Sequence, residues 1–211
     1  MARAYRKTYL PKAARNFGNM MGYAVNDCAL DGSRFLHMFI SSGLAQQFEH
    51  GNPKVVAKMS GIDLAIEAIT KATGSAPKAV PSVTDYKTSE YWGGWALAHY
   101  QWYTGRKFSS ILRYMPFSDI LDMYYTLHEE DIVKFYEAAD EIYINSRPQT
   151  NLNQIREAAG LSQAKLASEA GVNKRLIQNY EQREKDINKA QVHVAIKLAR
   201  ALGCSVEDLM D

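Results

Sequence analysis

Between residues 171 and 180 the chain carries two cations and no acid, and its polar side chains there are of the kinds that read base edges. Arg175 has the planar fork that pairs bidentately with guanine. Gln178 and Asn179 have the amide that pairs with adenine, and a good pair of either kind discriminates by ~1–3 kcal/mol. Lys174 adds a compact positive charge beside them. Nearby lie groups that suit phosphate oxygens: Gln163, Lys165, Asn173, Arg183, Lys185 and Lys189. By residue type alone, such a cluster is also what a solvated polar helix face looks like. The elements that position it have to decide between the two.

Other chemistries find less support. His37, His99, His128 and the acids Asp27, Asp31, Asp119 and Asp122 are scattered without catalytic or metal-ligand spacing. HExxH, GxSxG and phosphate-binding glycine loops are all missing. Cys28 and Cys204 form no CxxC pair and no disulfide framework, and are read as small buried hydrophobes. The expectation is a protein with no catalytic residues, no metal and no cofactor, and hence not an enzyme.

The 211 residues are 46% hydrophobic and 23% charged, which suits a folded chain and is too apolar for a disordered one. A net charge of +2 excludes gripping nucleic acid by bulk charge, because that mode needs many unopposed phosphate contacts. The first residues are basic, but Thr8 to Asn16 are too polar for a signal-peptide core. No run approaches the ~18 apolar residues of a membrane span. A cytoplasmic protein with no membrane partner is expected.

Aromatic residues locate a boundary. Of the 23 Phe, Trp and Tyr residues, 22 lie before residue 145, and only Tyr180 lies after it. Residues 144–151 are polar, contain Pro148, and interrupt the helical periodicity. The reading is an aromatic-rich domain over 1–145, a linker over 146–150 and a smaller domain over 151–211. Alternating β-branched runs are almost absent, so both domains are expected to be all-α. Helices are expected at Pro11–Asp27, Ser33–His50, Pro53–Met59, Ile62–Thr73, Ser89–Thr104, Phe108–Met115, Ser118–Tyr125 and Glu129–Ile144. The irregular stretch Gly74–Lys87, with Pro77 and Pro81, reads as an exposed loop.

The segment 91–103 places aromatics on every face of its helix, the pattern of a buried bundle centre. Gly93 and Gly94 cost helix stability, ~1 kcal/mol each, which a closely packed neighbour or ligand would explain. His99 reads as a hydrogen-bonded core histidine. The competing reading makes Trp92, Trp95, His99, Trp102 and Tyr103 a surface for a partner or ligand, since Trp and Tyr offer flat contact area with a polar edge.

From Leu152 onward the chain falls into five short helices: Leu152–Ala159, Gln163–Ala170, Lys174–Gln182, Ala190–Leu202 and a terminal turn begun by a capping-box-like Ser205-Val206-Glu207-Asp208. Ser162 and Asn173 are placed as N-caps, and Gly160, Gly171 and Gly203 as stops. The second and third helices are joined only by Gly171-Val172-Asn173 and must cross steeply. Leu166, Ala167, Val172 and Ile177 can then meet Ile155, Leu198 and Leu202 in a small core.

The run Leu161-Ser162-Gln163-Ala164-Lys165-Leu166-Ala167, then Gly171-Val172, then Ile177-Gln178-Asn179-Tyr180-Glu181 resembles the helix-turn-helix of the Cro and lambda-repressor superfamily. Residues 198–209 resemble that superfamily's last two helices. Two departures stand out: Leu176 replaces a small hydroxyl residue, and Gln182-Arg183-Glu184-Lys185-Asp186 replaces the usual glycine after the glutamate. The resemblance implies that the third helix enters the major groove of double-stranded DNA, presenting Lys174, Arg175, Gln178 and Asn179 to base edges. Gln163 with its neighbouring N–H groups, and Lys165, Asn173, Arg183, Lys185 and Lys189, would then meet phosphates.

Residues 151–211 hold nine basic and eight acidic side chains, a net of +1, so a single copy is expected to bind weakly. A homodimer on half-sites roughly 34 Å apart is the expected binding form. The segment before residue 145 resembles, more weakly, uncharacterised bacterial domains that precede helix-turn-helix motifs, through Asn26-Asp27-Cys28, Phe39-Ile40-Ser41-Ser42-Gly43 and Tyr91-Trp92-Gly93-Gly94-Trp95. Two functions follow from these resemblances, and a third reading makes residues 1–145 a small-molecule-binding or enzymatic domain that merely carries a DNA-binding tail. One is a bacterial or phage transcriptional regulator such as a repressor. The alternative is an antitoxin whose residues 1–145 bind and inhibit a protein partner while the C-terminal domain autoregulates.

Overall fold

The computed structural model describes residues 4–82, 87–146 and 148–210, and every regular element among them is helical. The chain divides into two compact units between Ser146 and Arg147.

The first unit contains α1 (Leu10–Gly22), α2 (Gly32–Ser41), α3 (Leu44–Glu49), α4 (Gly61–Thr73), α5 (Ser89–Thr104), α6 (Phe108–Tyr114), α7 (Phe117–Asp122), α8 (Tyr124–Leu127) and α9 (Ile132–Asn145). Four of them start at a side chain that accepts a first-turn N–H: Asp31, Ser60, Thr88 and Asp131. At α4 the cap is reciprocal, Ser60 accepting from Asp63 N–H while the Asp63 carboxylate accepts from Ser60 N–H.

Helices α1 and α5 pack against each other through glycine. A Cβ on Gly94 would lie 2.6 Å from Met21 Cγ and 2.9 Å from the carbonyl oxygen of Phe17. One on Gly18 would lie 2.8 Å from the carbonyl oxygen of Tyr91. Gly93 has Phe117 and Leu121 at 3.1 Å, so both glycines of α5 have the close neighbour that their cost demanded. Around this crossing sits an aromatic core in which Phe17 stacks on Phe108 at 4.9 Å and meets Phe39 and Phe48 edge-on.

Three features depart from the periodicity, the first being that the helix expected over Ser118–Tyr125 divides at Met123 into α7 and α8. The helix expected over Ser33–His50 is broken, because Gly43 takes φ +78° and begins α3 in a new direction. The end of the first expected helix, Tyr23–Asp27, and nearly the whole of the third, Lys54–Lys58, are π-helical. The described part of the Gly74–Lys87 loop is tied to the first of these. Tyr23 donates its hydroxyl proton to the Ala79 carbonyl at 2.8 Å, and Asp27 accepts from Ser82 N–H and Oγ–H.

The second unit contains α10 (Asn151–Ala158), α11 (Gln163–Ala170), α12 (Lys174–Glu181) and α13 (Val192–Leu202), with a closing 3-10 turn at Glu207–Leu209. Thr150, buried, caps α10, and Ser162 and Asn173 cap α11 and α12. The core holds Leu152, Leu166, Ala167, Ile177, Tyr180, Ile187, Val194, Leu198 and Leu209, with Ile155, Val172, Leu176 and Leu202 half-buried at its edge. Ser205 and Asp208 cap the final turn reciprocally.

Candidate nucleic-acid interface

Helix α12 is presented by its neighbours rather than by its own stability. Gly171 adopts φ +60°, which ends α11 and lets Val172 N–H reach the Ala167 carbonyl at 3.0 Å. Two residues later Asn173 Oδ1 accepts from Arg175 N–H at 2.8 Å and α12 begins. The buried side of α12 is Ile177 and Tyr180, with Leu176 beside them. Burial pushes the Tyr180 hydroxyl pKa up. Lys174 and Arg175 are exposed at the helix start, and Gln178 is half-buried one turn on.

The far end of α12 is fixed by a buried ion pair. Glu181 Oε1 lies 2.6 Å from Arg156 Nε, with side chains only 3% and 9% exposed. Glu181 Oε2 accepts from Arg156 Nη2 at 3.0 Å, Asn153 Nδ2 at 3.1 Å and Gln163 Nε2 at 2.7 Å. Arg156 Nη1 also donates to the Leu161 carbonyl at 2.7 Å. The Glu181 carboxylate holds the Arg156 guanidinium above its ordinary pKa. One carboxylate thereby ties α10 and α11 to the end of α12.

Residues 152–209 match the family model described as Helix-turn-helix. The C-terminal unit is a Cro/lambda-repressor-like helix-turn-helix domain. Its relatives in that family are DNA-binding regulators. No curated protein and no solved structure matched the chain.

Within this helix-turn-helix domain the anticipated contact residues do not all stand alike. Asn179 is engaged internally: with its amide nitrogen turned inward, it donates to Glu184 Oε2 at 3.2 Å and to the Arg175 carbonyl at 3.1 Å. The Asn179 carbonyl accepts from Lys185 N–H, so this residue braces the following loop. Arg183 takes φ +55° in that loop, the left-handed conformation that a glycine would adopt without strain. Gln163 spends one amide N–H on Glu181 and keeps a second. Asn173 uses its side-chain oxygen as a cap and keeps its NH2 group.

Lys165 and Lys189 are exposed and sit 3.4 Å from Glu169 and Asp186 respectively. Lys185 and Lys189 line a groove of about 440 Å³ with Leu176, Tyr180, Asp186, Gln191 and Val194, beside the start of α13. Sequence reasoning passed over Arg156 and Glu181. The available signal was Arg156 falling four residues after core residue Leu152, on the inward stripe of α10.

In the N-terminal unit the surface expected of five α5 residues splits. Trp92 and Trp102 are core residues, 8% and 5% exposed. Trp92 packs edge-on against Tyr124 and Phe135, and Trp102 donates its indole N–H to the Tyr5 carbonyl at 2.8 Å. Most of the Trp92 and Trp102 rings is therefore spent on packing, and only their edges reach surface clefts. Trp95, His99 and Tyr103 are half-buried, with His99 Nδ1 3.2 Å from the Tyr136 hydroxyl and Tyr103 stacked on Tyr136. Burial lowers the His99 pKa to about 4, which keeps its ring neutral near pH 7. Among the described residues no helix is long and apolar enough to cross a membrane.

Proposed function

We propose that this protein is a sequence-specific regulator of transcription that reads the major groove of double-stranded DNA with α12 and acts as a homodimer. The observation that carries the reading is the presentation of α12. Its first turn offers Lys174 and Arg175 to solvent, with Gln178 one turn behind, while Glu181 and Asn173 fix its two ends. A base-reading helix needs this combination, since a bidentate pair tolerates little positional slack. Base reading is assigned to Lys174, Arg175, Gln178 and Asn179, with Arg175 and Gln178 as the bidentate pair.

The test is selection of bound duplexes from a random pool by the full-length protein, followed by binding to the winner. Arg175→Ala and Gln178→Ala are each expected to cost ~1–3 kcal/mol on the selected site and to relax preference at a single base pair. Specific binding that survives both changes undiminished would show that α12 is not the reading element.

A further inference from the structure

The N-terminal unit has a cleft lined by none of the residues assigned to DNA. Lys87, Tyr91, Trp92, Trp95, Tyr124 and His128 line a cleft of about 250 Å³. The walls are aromatic: Trp92 meets Tyr124 edge-on at 5.7 Å, and Tyr124 stacks with His128 at 4.5 Å. Such walls favour a flat apolar occupant, and the volume lies just below the ~300–1,000 Å³ of drug-sized ligand sites, which suits one or two rings.

Its polar groups set the charge of the occupant. Among the described residues the Lys87 ammonium has no carboxylate partner and lies over the Tyr91 ring, 4.9 Å from its centroid. Trp95 Nε1–H and the Tyr91 and Tyr124 hydroxyls make no hydrogen bond with any described residue. All four can donate, and a carboxylate can accept from several at once. The ring faces would otherwise attract a cation, but the ammonium of Lys87 already occupies one and would repel another. His128 turns its Nδ1 to the Tyr124 carbonyl at 2.8 Å, and its Nε2 lies 3.6 Å from the exposed Glu129 carboxylate.

We propose that this cleft is a small-molecule site for planar aromatic carboxylates of one or two rings. The full-length protein labelled with 5-fluorotryptophan tests it by fluorine NMR, the three resonances being assigned with Trp→Phe variants at positions 92, 95 and 102. Benzoate and 2-naphthoate are the probes, with 2-naphthamide and benzyltrimethylammonium as the neutral and cationic comparisons.

Saturable movement of the Trp95 and Trp92 resonances by a carboxylate, with Trp102 unmoved, is the expected result. The amide and Lys87→Met should each weaken binding about tenfold or more, the loss of one charge-assisted hydrogen bond. Because Lys87 is exposed, unchanged ligand-free resonances will show that the variant is folded. The proposal is overturned if neither carboxylate saturates at millimolar concentration. It is equally overturned if the amide or the ammonium binds as tightly, if Lys87→Met is without effect, or if only Trp102 responds.

Discussion

Glu181 accepts four hydrogen bonds from three side chains, two of them from the guanidinium of Arg156. Both ionic groups are almost fully removed from water, so neither can be rehydrated in place when the other is lost. The net contribution of such a pair over an apolar replacement is small, yet breaking it leaves buried Arg156 with only the exposed Glu157 carboxylate, 3.4 Å away, which places the cost at the lower end of ~3–5 kcal/mol. Glu181→Gln keeps the shape and one acceptor oxygen but removes the charge, and should destabilise the C-terminal unit by about 3 kcal/mol. Lys165→Gln removes only an exposed pair with Glu169, and should change stability by less than about 0.5 kcal/mol. Urea unfolding of the full chain, followed at amide signals of Ile177 and Leu198, measures both. A loss below about 1 kcal/mol for Glu181→Gln would mean that the pair is not what secures α12.

At the scale of elements, the start and stop signals of the C-terminal unit were legible because each works through its immediate neighbours. Ser162, Gly171 and Asn173 act within a few residues of their own position, and the structure uses all three as read. The Arg156–Glu181 pair was not legible, since its partners lie 25 residues apart and a charge on a helix normally marks the wet face. The Asn179–Glu184 contact was hidden for a related reason: it depends on the turn that Arg183 makes at φ +55°. Gly43 was not legible as a break because a single glycine costs a helix only ~1 kcal/mol, whereas what redirects the chain there is its left-handed φ of +78°. Gly93 and Gly94 were the opposite case, costly enough within one helix to require a close neighbour. A methyl group at Gly94 would meet the Phe17 carbonyl at 2.9 Å, and backbone cannot swing aside as a side chain can. Gly94→Ala should therefore destabilise the N-terminal unit by about 1–3 kcal/mol despite alanine's better helix propensity. Calorimetry of the full chain checks this, and a neutral or stabilising result would show that α1 and α5 are not locked at this distance.

For the molecule as a whole, charge and function pull in different directions, and the salt dependence of DNA binding resolves them. The C-terminal unit is nearly neutral, so affinity has to come from a few placed cations rather than from its total charge. Four cations per copy near α12 are the proposed phosphate contacts: Lys165, Arg183, Lys185 and Lys189. Two of them are held by exposed acids, Glu169 and Asp186, in pairs that contribute little and can be exchanged for a phosphate. Each phosphate neutralised lowers the slope of log affinity against log salt by ~0.9, so one copy gives a slope of roughly −4 and two copies roughly −7. If the full-length protein binds as a homodimer, its selected site will contain two half-sites about one DNA turn apart and its slope will lie near the larger value. Lys185→Gln is then expected to reduce that slope by about 2, one phosphate from each copy, while leaving base preference unchanged. A site with a single half-site and a slope near −4 would instead assign the binding to one copy.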